Sequence, residues 1–257
     1  MNKVRAKINE KQQRVLNVYF TAGHPTLDGI PNIAEGLQEA GVDLIELGMP
    51  YSDPLADGLT IQKSSEVALK NGMNLKHLFD QVKQATSSIE IPIILMGYYN
   101  QLIQFGMDRF LDMATTAGVS GLIIPDLPMF EYEAKFQKTF EDRNLGMSFL
   151  ISPMTSDERI MQAGKLSSGF LYMVSQSSIT GKTQDISQEQ LAYFDKVNNM
   201  GVEAPRLIGF GIHNNETFET ACKYSNGAIV GSSFIRALEK DASKAGIKTF
   251  VSSILNG

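Results

Sequence analysis

A chain of 257 residues, 43% hydrophobic and 20% charged, can bury a sizeable core, which excludes a disordered or fibrous protein. Its 23 basic and 28 acidic side chains leave a net charge of -5 with no long block of one sign, which excludes a charge-driven nucleic-acid binder. Residues 1–14 are polar and mixed in charge, and no stretch approaches the roughly 18 apolar residues of a membrane span, so neither export nor membrane insertion is expected. Cys222 is the one cysteine; it rules out an internal disulfide, argues against a cysteine-built metal site and fits a reducing cytoplasm as the expected location. His24, His77 and His213 are scattered without metal-ligand spacing and read as surface or loop residues.

In chain order, the polar residues before position 13 predict an extra helix that covers one end of the fold. Short runs rich in β-branched or aromatic residues then predict eight strands, at 15–21, 43–47, 92–96, 119–124, 147–151, 170–174, 206–209 and 228–230. Helical periodicity follows each one: 30–40, 61–85 with a break at Asn71-Gly72, 107–117, 131–143, 157–166, 188–199, 215–223 and 242–255. Thr155-Ser156 and Ser187 stand at cap positions, and Gly41, Gly118, Gly146 and Gly201 stand where a left-handed stop should hand a helix over to the next strand.

Near-continuous apolar strands separated by amphipathic helices imply a parallel sheet buried on both faces. Eight such units without a composition break predict one α/β domain over residues 1–257, a single (β/α)8 TIM barrel, with an open doubly wound sheet as the alternative. A barrel of this kind carries its active site at the C-terminal ends of the strands. In the second strand, alternation puts Leu44 and Glu46 on one face and Ile45 and Leu47 on the other, so Glu46 points into the barrel if the aliphatic pair meets the helices. A carboxyl so placed favours its neutral form and suits proton transfer, although an ion pair with a distant lysine or arginine would also account for it.

The loop that follows, 49–58, is stiffened by Pro50 and Pro54 and holds Asp53 and Asp57; on spacing alone either aspartate is as readily a turn former. Gly209-Phe210-Gly211 follows the seventh strand, and Gly231-Ser232-Ser233 follows the eighth before a short helix. Both loops suit an anion held by backbone N–H groups. The polar loop 175–183 after the sixth strand reads as a lid or as plain irregular chain. Tyr19 and Tyr172, in the first and sixth strands, could line a pocket for a flat apolar substrate or simply belong to the core.

The uninterrupted run Glu46-Leu47-Gly48-Met49-Pro50-Tyr51-Ser52-Asp53-Pro54-Leu55-Ala56-Asp57-Gly58 resembles the signature of the tryptophan synthase alpha subunit family. Phe20-Thr21-Ala22-Gly23-His24-Pro25, Ile124-Pro125-Asp126-Leu127-Pro128, Gly209-Phe210-Gly211-Ile212 and Gly231-Ser232 support it in family order. The resemblance implies retro-aldol cleavage of indole-3-glycerol phosphate to indole and D-glyceraldehyde 3-phosphate. It places the acid/base glutamate on Glu46 and the aspartate that accepts from the indole N–H on Asp57. It sets Tyr19 and Tyr172 beside the indole, and Thr180, Gly181, Gly211, Gly231 and Ser232 around the substrate and its phosphate.

No cofactor is implied in this chain. Pyridoxal phosphate is expected in a beta subunit that receives indole within an alpha2-beta2 tetramer. The lid departs from the family pattern at Gln176, Ser178 and Ile179, and His24 stands where an aspartate is common. A stand-alone indole-glycerol-phosphate lyase, a non-catalytic barrel scaffold and a different phosphate-using barrel enzyme are the alternatives.

Overall fold

Each strand is short and buried on both faces, as a helix-covered parallel sheet requires. The computed structural model describes residues 1–54, 57–174, 187–209 and 211–257. Its strands are β1 (Val15–Thr21), β2 (Leu44–Gly48), β3 (Ile93–Met96), β4 (Gly121–Ile123), β5 (Gly146–Met147), β6 (Leu150–Ile151), β7 (Leu171–Val174), β8 (Arg206–Gly209) and β9 (Gly227–Val230). All neighbours pair in parallel, in the order β5-β4-β3-β2-β1-β9-β8-β7-β6.

β5 and β6 are two halves of the fifth predicted strand, and that strand closes the ring. β5 pairs with β4 and β6 with β7, while Ser148 N donates to Leu122 O at 3.1 Å and Tyr172 N to Phe149 O at 2.9 Å. The fold is thus the expected (β/α)8 barrel. The split arises because side-chain hydroxyls take over ladder positions there. Met147 N donates to Ser168 Oγ at 3.0 Å, Phe149 N to Ser167 Oγ at 3.1 Å and Phe170 N to Ser148 Oγ at 3.1 Å.

The surrounding helices are α1 (Lys3–Lys11), α2 (Ile30–Glu39), α3 (Leu59–Lys70), α4 (Leu75–Thr86), α5 (Tyr99–Phe105), α6 (Met107–Thr116), α7 (Met129–Glu131), α8 (Gln137–Asp142), α9 (Asp157–Leu166), α10 (Gln188–Asn199), α11 (Asn215–Tyr224), α12 (Ser232–Lys240) and α13 (Lys244–Leu255). The break in the predicted 61–85 helix is real: Gly72 takes φ +97° and the Asn74 side chain caps α4 by accepting from His77 N. Ser187 forms a capping box with Gln190, whereas Ser156 makes no side-chain cap.

Gly41, Gly118 and Gly201 adopt the left-handed conformation expected of them, but Gly146 lies in β5 and Asn144, at φ 55°, makes that stop. α5 is absent from the sequence reading. Its first turn is held from outside by Asp126, whose side chain accepts from Tyr99 N at 2.8 Å. The predicted 131–143 helix contains a π turn, Tyr132–Phe136, between α7 and α8. Among the described residues, no helix is long and apolar enough to cross a membrane.

Strand alternation divides the core in two. Leu16, Val18, Phe20, Ile45 and Leu47 pack outward under the helices, and Val15, Leu44, Ile94, Ile123, Phe170, Leu207 and Ile229 fill the barrel. Val4 and Ile8 of α1 join that inner cluster, so the extra N-terminal helix plugs the barrel as well as covering it. Asn2 and Arg5 fasten the plug by donating to the carbonyls of Ser167 and Ser168. Ile8→Ala is expected to cost about 2–5 kcal/mol, the usual range for a buried isoleucine. Denaturant unfolding measures it, and a loss near zero would show that α1 is no part of the core.

Candidate active site

Glu46 ends up inside the barrel because its strand is pleated and both its neighbours are aliphatic. Ile45 and Leu47 meet the helical layer, Leu44 joins the inner cluster, and Glu46 projects inward at 1% exposure. Among the described residues no cation pairs with it. Its partner is the Asn17 amide, whose Nδ2–H donates to Oε2 at 2.9 Å. Burial pushes the carboxyl up to about 8, with the nearby negative charge of Asp57 acting in the same direction and the Asn17 hydrogen bond opposing both. No lysine or arginine among the described residues takes the part of the distant partner that the sequence left open. Lys11 pairs with Asp43 at 2.5 Å, and that carboxylate also accepts from Leu16 N.

Asp57 lies beyond β2, just before α3. Burial raises its carboxyl to about 6, while the Tyr98 hydroxyl, donating at 3.2 Å, pulls it back. The segment carrying Asp57 is pinned to the turn after β3: Tyr51 stacks on Tyr98 with ring centroids 5.1 Å apart, and Gln101 Nε2 donates to Pro50 O at 3.1 Å. Asp53, by contrast, is exposed and bonded to neighbouring Ser52. Of the two loop aspartates, the structure brings only Asp57 to the barrel mouth.

Tyr19 and Tyr172 face this carboxyl pair. Burial and the negative charges of Asp57 and Glu46 hold both phenols well above their ordinary value, so both are neutral donors at any working pH. The rings fit because their strand neighbours are glycines. A Cβ on Gly48 would collide with the Tyr19 hydroxyl, and one on Gly209 with that of Tyr172. Gly209, read from sequence as part of an anion loop, therefore serves an aromatic ring. A recess at the mouth is lined by Tyr19, Met49, Asp57, Met96, Tyr98 and Pro125, an apolar rim with one carboxylate in it.

The expected anion site adjoins this recess. Gly231 is the N-cap of α12, a Cβ there would lie 3.6 Å from Tyr19 Cβ, and the first turn of the helix carries Ser232 and no acidic residue. The open N–H groups of such a turn favour an anion. Gly211 takes φ +81°, a conformation that suits glycine, and its carbonyl accepts from His213 Nδ1 at 2.7 Å if that nitrogen carries the proton. Thr180, Gly181 and the rest of the expected lid lie outside the described residues.

His24 lies in the loop after β1, as one of its two readings had it, but at 3% exposure and facing Glu239 of α12 at 3.6 Å it is buried rather than at the surface. Cys222 is buried and free, and among the described residues no cluster of histidine, cysteine or carboxylate side chains could hold a metal ion. Sequence reasoning missed Asn17 and Tyr98. Asn17 shares the inward parity of Tyr19 in β1, and Tyr98 follows the end of β3, so parity and the strand-end rule each offered a signal.

A carboxyl whose proton is held more tightly in the folded state stabilises the fold below its unfolded value, near 4, and loses that contribution as pH rises through the folded value, here about 8 for Glu46. Glu46→Gln is therefore expected to come close to the parent in urea midpoint at about pH 4 and exceed it at about pH 9. An equal gain at both pH values would show that Glu46 does not titrate in this range.

Comparison with known proteins agrees with the fold. The family described as tryptophan synthase alpha chain matches residues 5–253. The tryptophan synthase alpha chain of Christiangramia forsetii is 45% identical over 254 residues, covering 99% of this chain and 98% of that one; that of Flavobacterium psychrophilum is 44% identical, with 99% and 100% covered. Among solved structures, Mycobacterium tuberculosis tryptophan synthase superposes with a TM-score of 0.88 at 27% identity over 99% of this chain and 97% of the other. The tryptophan synthase A-subunit of Pyrococcus furiosus gives 0.86 at 31% identity, over 95% and 98%. A barrel with this buried carboxyl pair, matched along nearly its whole length, belongs to the tryptophan synthase alpha chain family.

Proposed function

We propose that Glu46 and Asp57 carry out the retro-aldol cleavage of indole-3-glycerol phosphate, the lyase reaction of this family, with Glu46 moving the proton and Asp57 holding the ring nitrogen. The observation that carries this reading is the separation of two neighbouring carboxyls, one raised to about 8 and the other to about 6. Between those values Glu46 is an acid and Asp57 an anion, which is the division of labour the reaction needs.

The neutral Glu46 carboxyl gives its proton to indole C3. The ring becomes an iminium cation, whose N–H and positive charge Asp57 stabilises. The bond from C3 to the hydroxyl-bearing carbon then breaks. Its electron pair returns to the ring as indole, and the hydroxyl becomes the aldehyde of glyceraldehyde 3-phosphate as its proton passes to the Glu46 carboxylate. The proton taken at the end replaces the one given at the start, so no cofactor in this chain enters the balance. Tyr19 and Tyr172 border the indole, Gly181, Gly211, Gly231, Ser232 and the first turn of α12 hold the phosphate, and Thr180 binds substrate. The chain acts as one barrel domain in the cytoplasm. It passes indole to a pyridoxal-phosphate-bearing beta subunit in an alpha2-beta2 tetramer, consistent with the whole-synthase structures it resembles.

Incubation with indole-3-glycerol phosphate, with and without a tryptophan synthase beta subunit, and detection of indole is the direct test; no indole in either case would overturn the reading. Strong activation by the beta subunit supports the synthase, and full activity without it a stand-alone lyase. Glu46→Gln and Asp57→Asn should each lower kcat by at least about 10² to 10⁴, the usual worth of a placed acid or base. Near-parental turnover in either variant removes that residue from the chemistry.

In the parent, kcat/KM should fall on the alkaline side near pH 8 as Glu46 loses its proton. The acid side is shared by Asp57 and the substrate phosphate, whose second pKa is about 6. Ser232→Ala should raise KM about tenfold, the loss of one hydrogen bond to a charged group, with kcat nearly unchanged. An unaltered KM would move the phosphate elsewhere.

A further inference from the structure

Asn17 is fully buried in the barrel, and its register partners on either side are Leu44 of β2 and Ile229 of β9, both members of the inner aliphatic cluster. Packing alone would put a third aliphatic there. The amide instead makes one hydrogen bond, from Nδ2 to Glu46 Oε2 at 2.9 Å, and its Oδ1 is buried without a partner among the described residues. Burying a polar group half-satisfied costs free energy, and such costs are tolerated where function is served.

We propose that Asn17 is a positioning residue for the reaction, fixing the Glu46 carboxyl and matching both its protonation states; this rests on the acid/base reading of Glu46. The amide supplies what each state lacks. The carboxylate is acceptor-only and takes the amide N–H, and the carboxylic acid has an O–H that the open Oδ1 can accept once the amide turns over. A single side chain thereby follows the proton as Glu46 gives it up and recovers it, without a charge of its own that would hold Glu46 in one form. Among the described residues, the titratable groups around Glu46 are Asp57 from the loop after β2, Tyr19 on β1 and Tyr172 on β7, and both tyrosines stay neutral. Asn17 is thus the group that favours the Glu46 carboxylate against burial and Asp57.

The test is the pH profile of indole release by Asn17→Leu, which removes the donor at similar volume, and by Asn17→Asp, which keeps the polarity but replaces the N–H donor with a carboxyl. In both, kcat at pH 7 should fall about tenfold or more through misplacement of Glu46, with KM within about twofold of the parent. The alkaline limb of kcat/KM should move to higher pH, because the Glu46 carboxylate has lost its hydrogen bond. A role in packing alone would lower the unfolding midpoint and leave the limb where it is, and coincident limbs in parent and folded variants would overturn the proposal. If Asn17→Leu does not fold, Asn17→Asp decides. A ¹³C-carboxyl titration of Glu46 in the substrate-free variants separates the two readings. Turnover by Glu46→Gln would remove Glu46 from the chemistry, whereas an unchanged Glu46 titration without the Asn17 amide would remove Asn17.

Discussion

A carboxyl group held inside an apolar barrel, with no cation beside it among the described residues, is the constraint around which this molecule is arranged. Water would stabilise the anion far better than one amide does, so burial shifts Glu46 toward its neutral form. A cation would have made Glu46 a permanent anion and an unhelpful acid. Asp57, closer to the mouth and steadied by a phenol, remains the easier of the two to ionise. One burial gradient, from barrel interior to rim, thereby sets two chemical roles in a single pocket.

The same gradient depends on small residues in the strands. Gly48 and Gly209 let the tyrosines of adjacent strands lean across the barrel and close over the carboxyls, where two aliphatic side chains would have pushed the rings out. The aromatic wall and the dry environment of Glu46 therefore have a common origin. What separates the acid from solvent also offers a flat surface to an aromatic substrate.

Much of this was legible in the sequence because it is periodic or local. β1 and β8 begin and end where the apolar runs do, and parity in β2 aims Glu46 inward once its aliphatic neighbours are assigned to the helices. Asp57 was not legible from spacing; the run of residues around it, matched to a family, gave it weight. What stayed hidden depends on residues distant in sequence. The fifth strand splits because hydroxyls about twenty positions away occupy its ladder, α5 is held by Asp126, and His24 is buried by a helix near the other end of the chain. Asn17 reads as an isolated polar residue in a strand until β2 is laid beside it.

The plug at the base of the barrel imposes an order on assembly. Asn2 and Arg5 find their acceptors at Ser167 and Ser168, and Val4 and Ile8 pack with side chains from strands that include β7, β8 and β9. A segment that precedes every strand is therefore seated by strands made after it: its acceptors come at Ser167 and Ser168, and its apolar neighbours extend to β9. Its seat is complete only where the strands on both sides of β1 are in place, so the docked plug reports a closed ring.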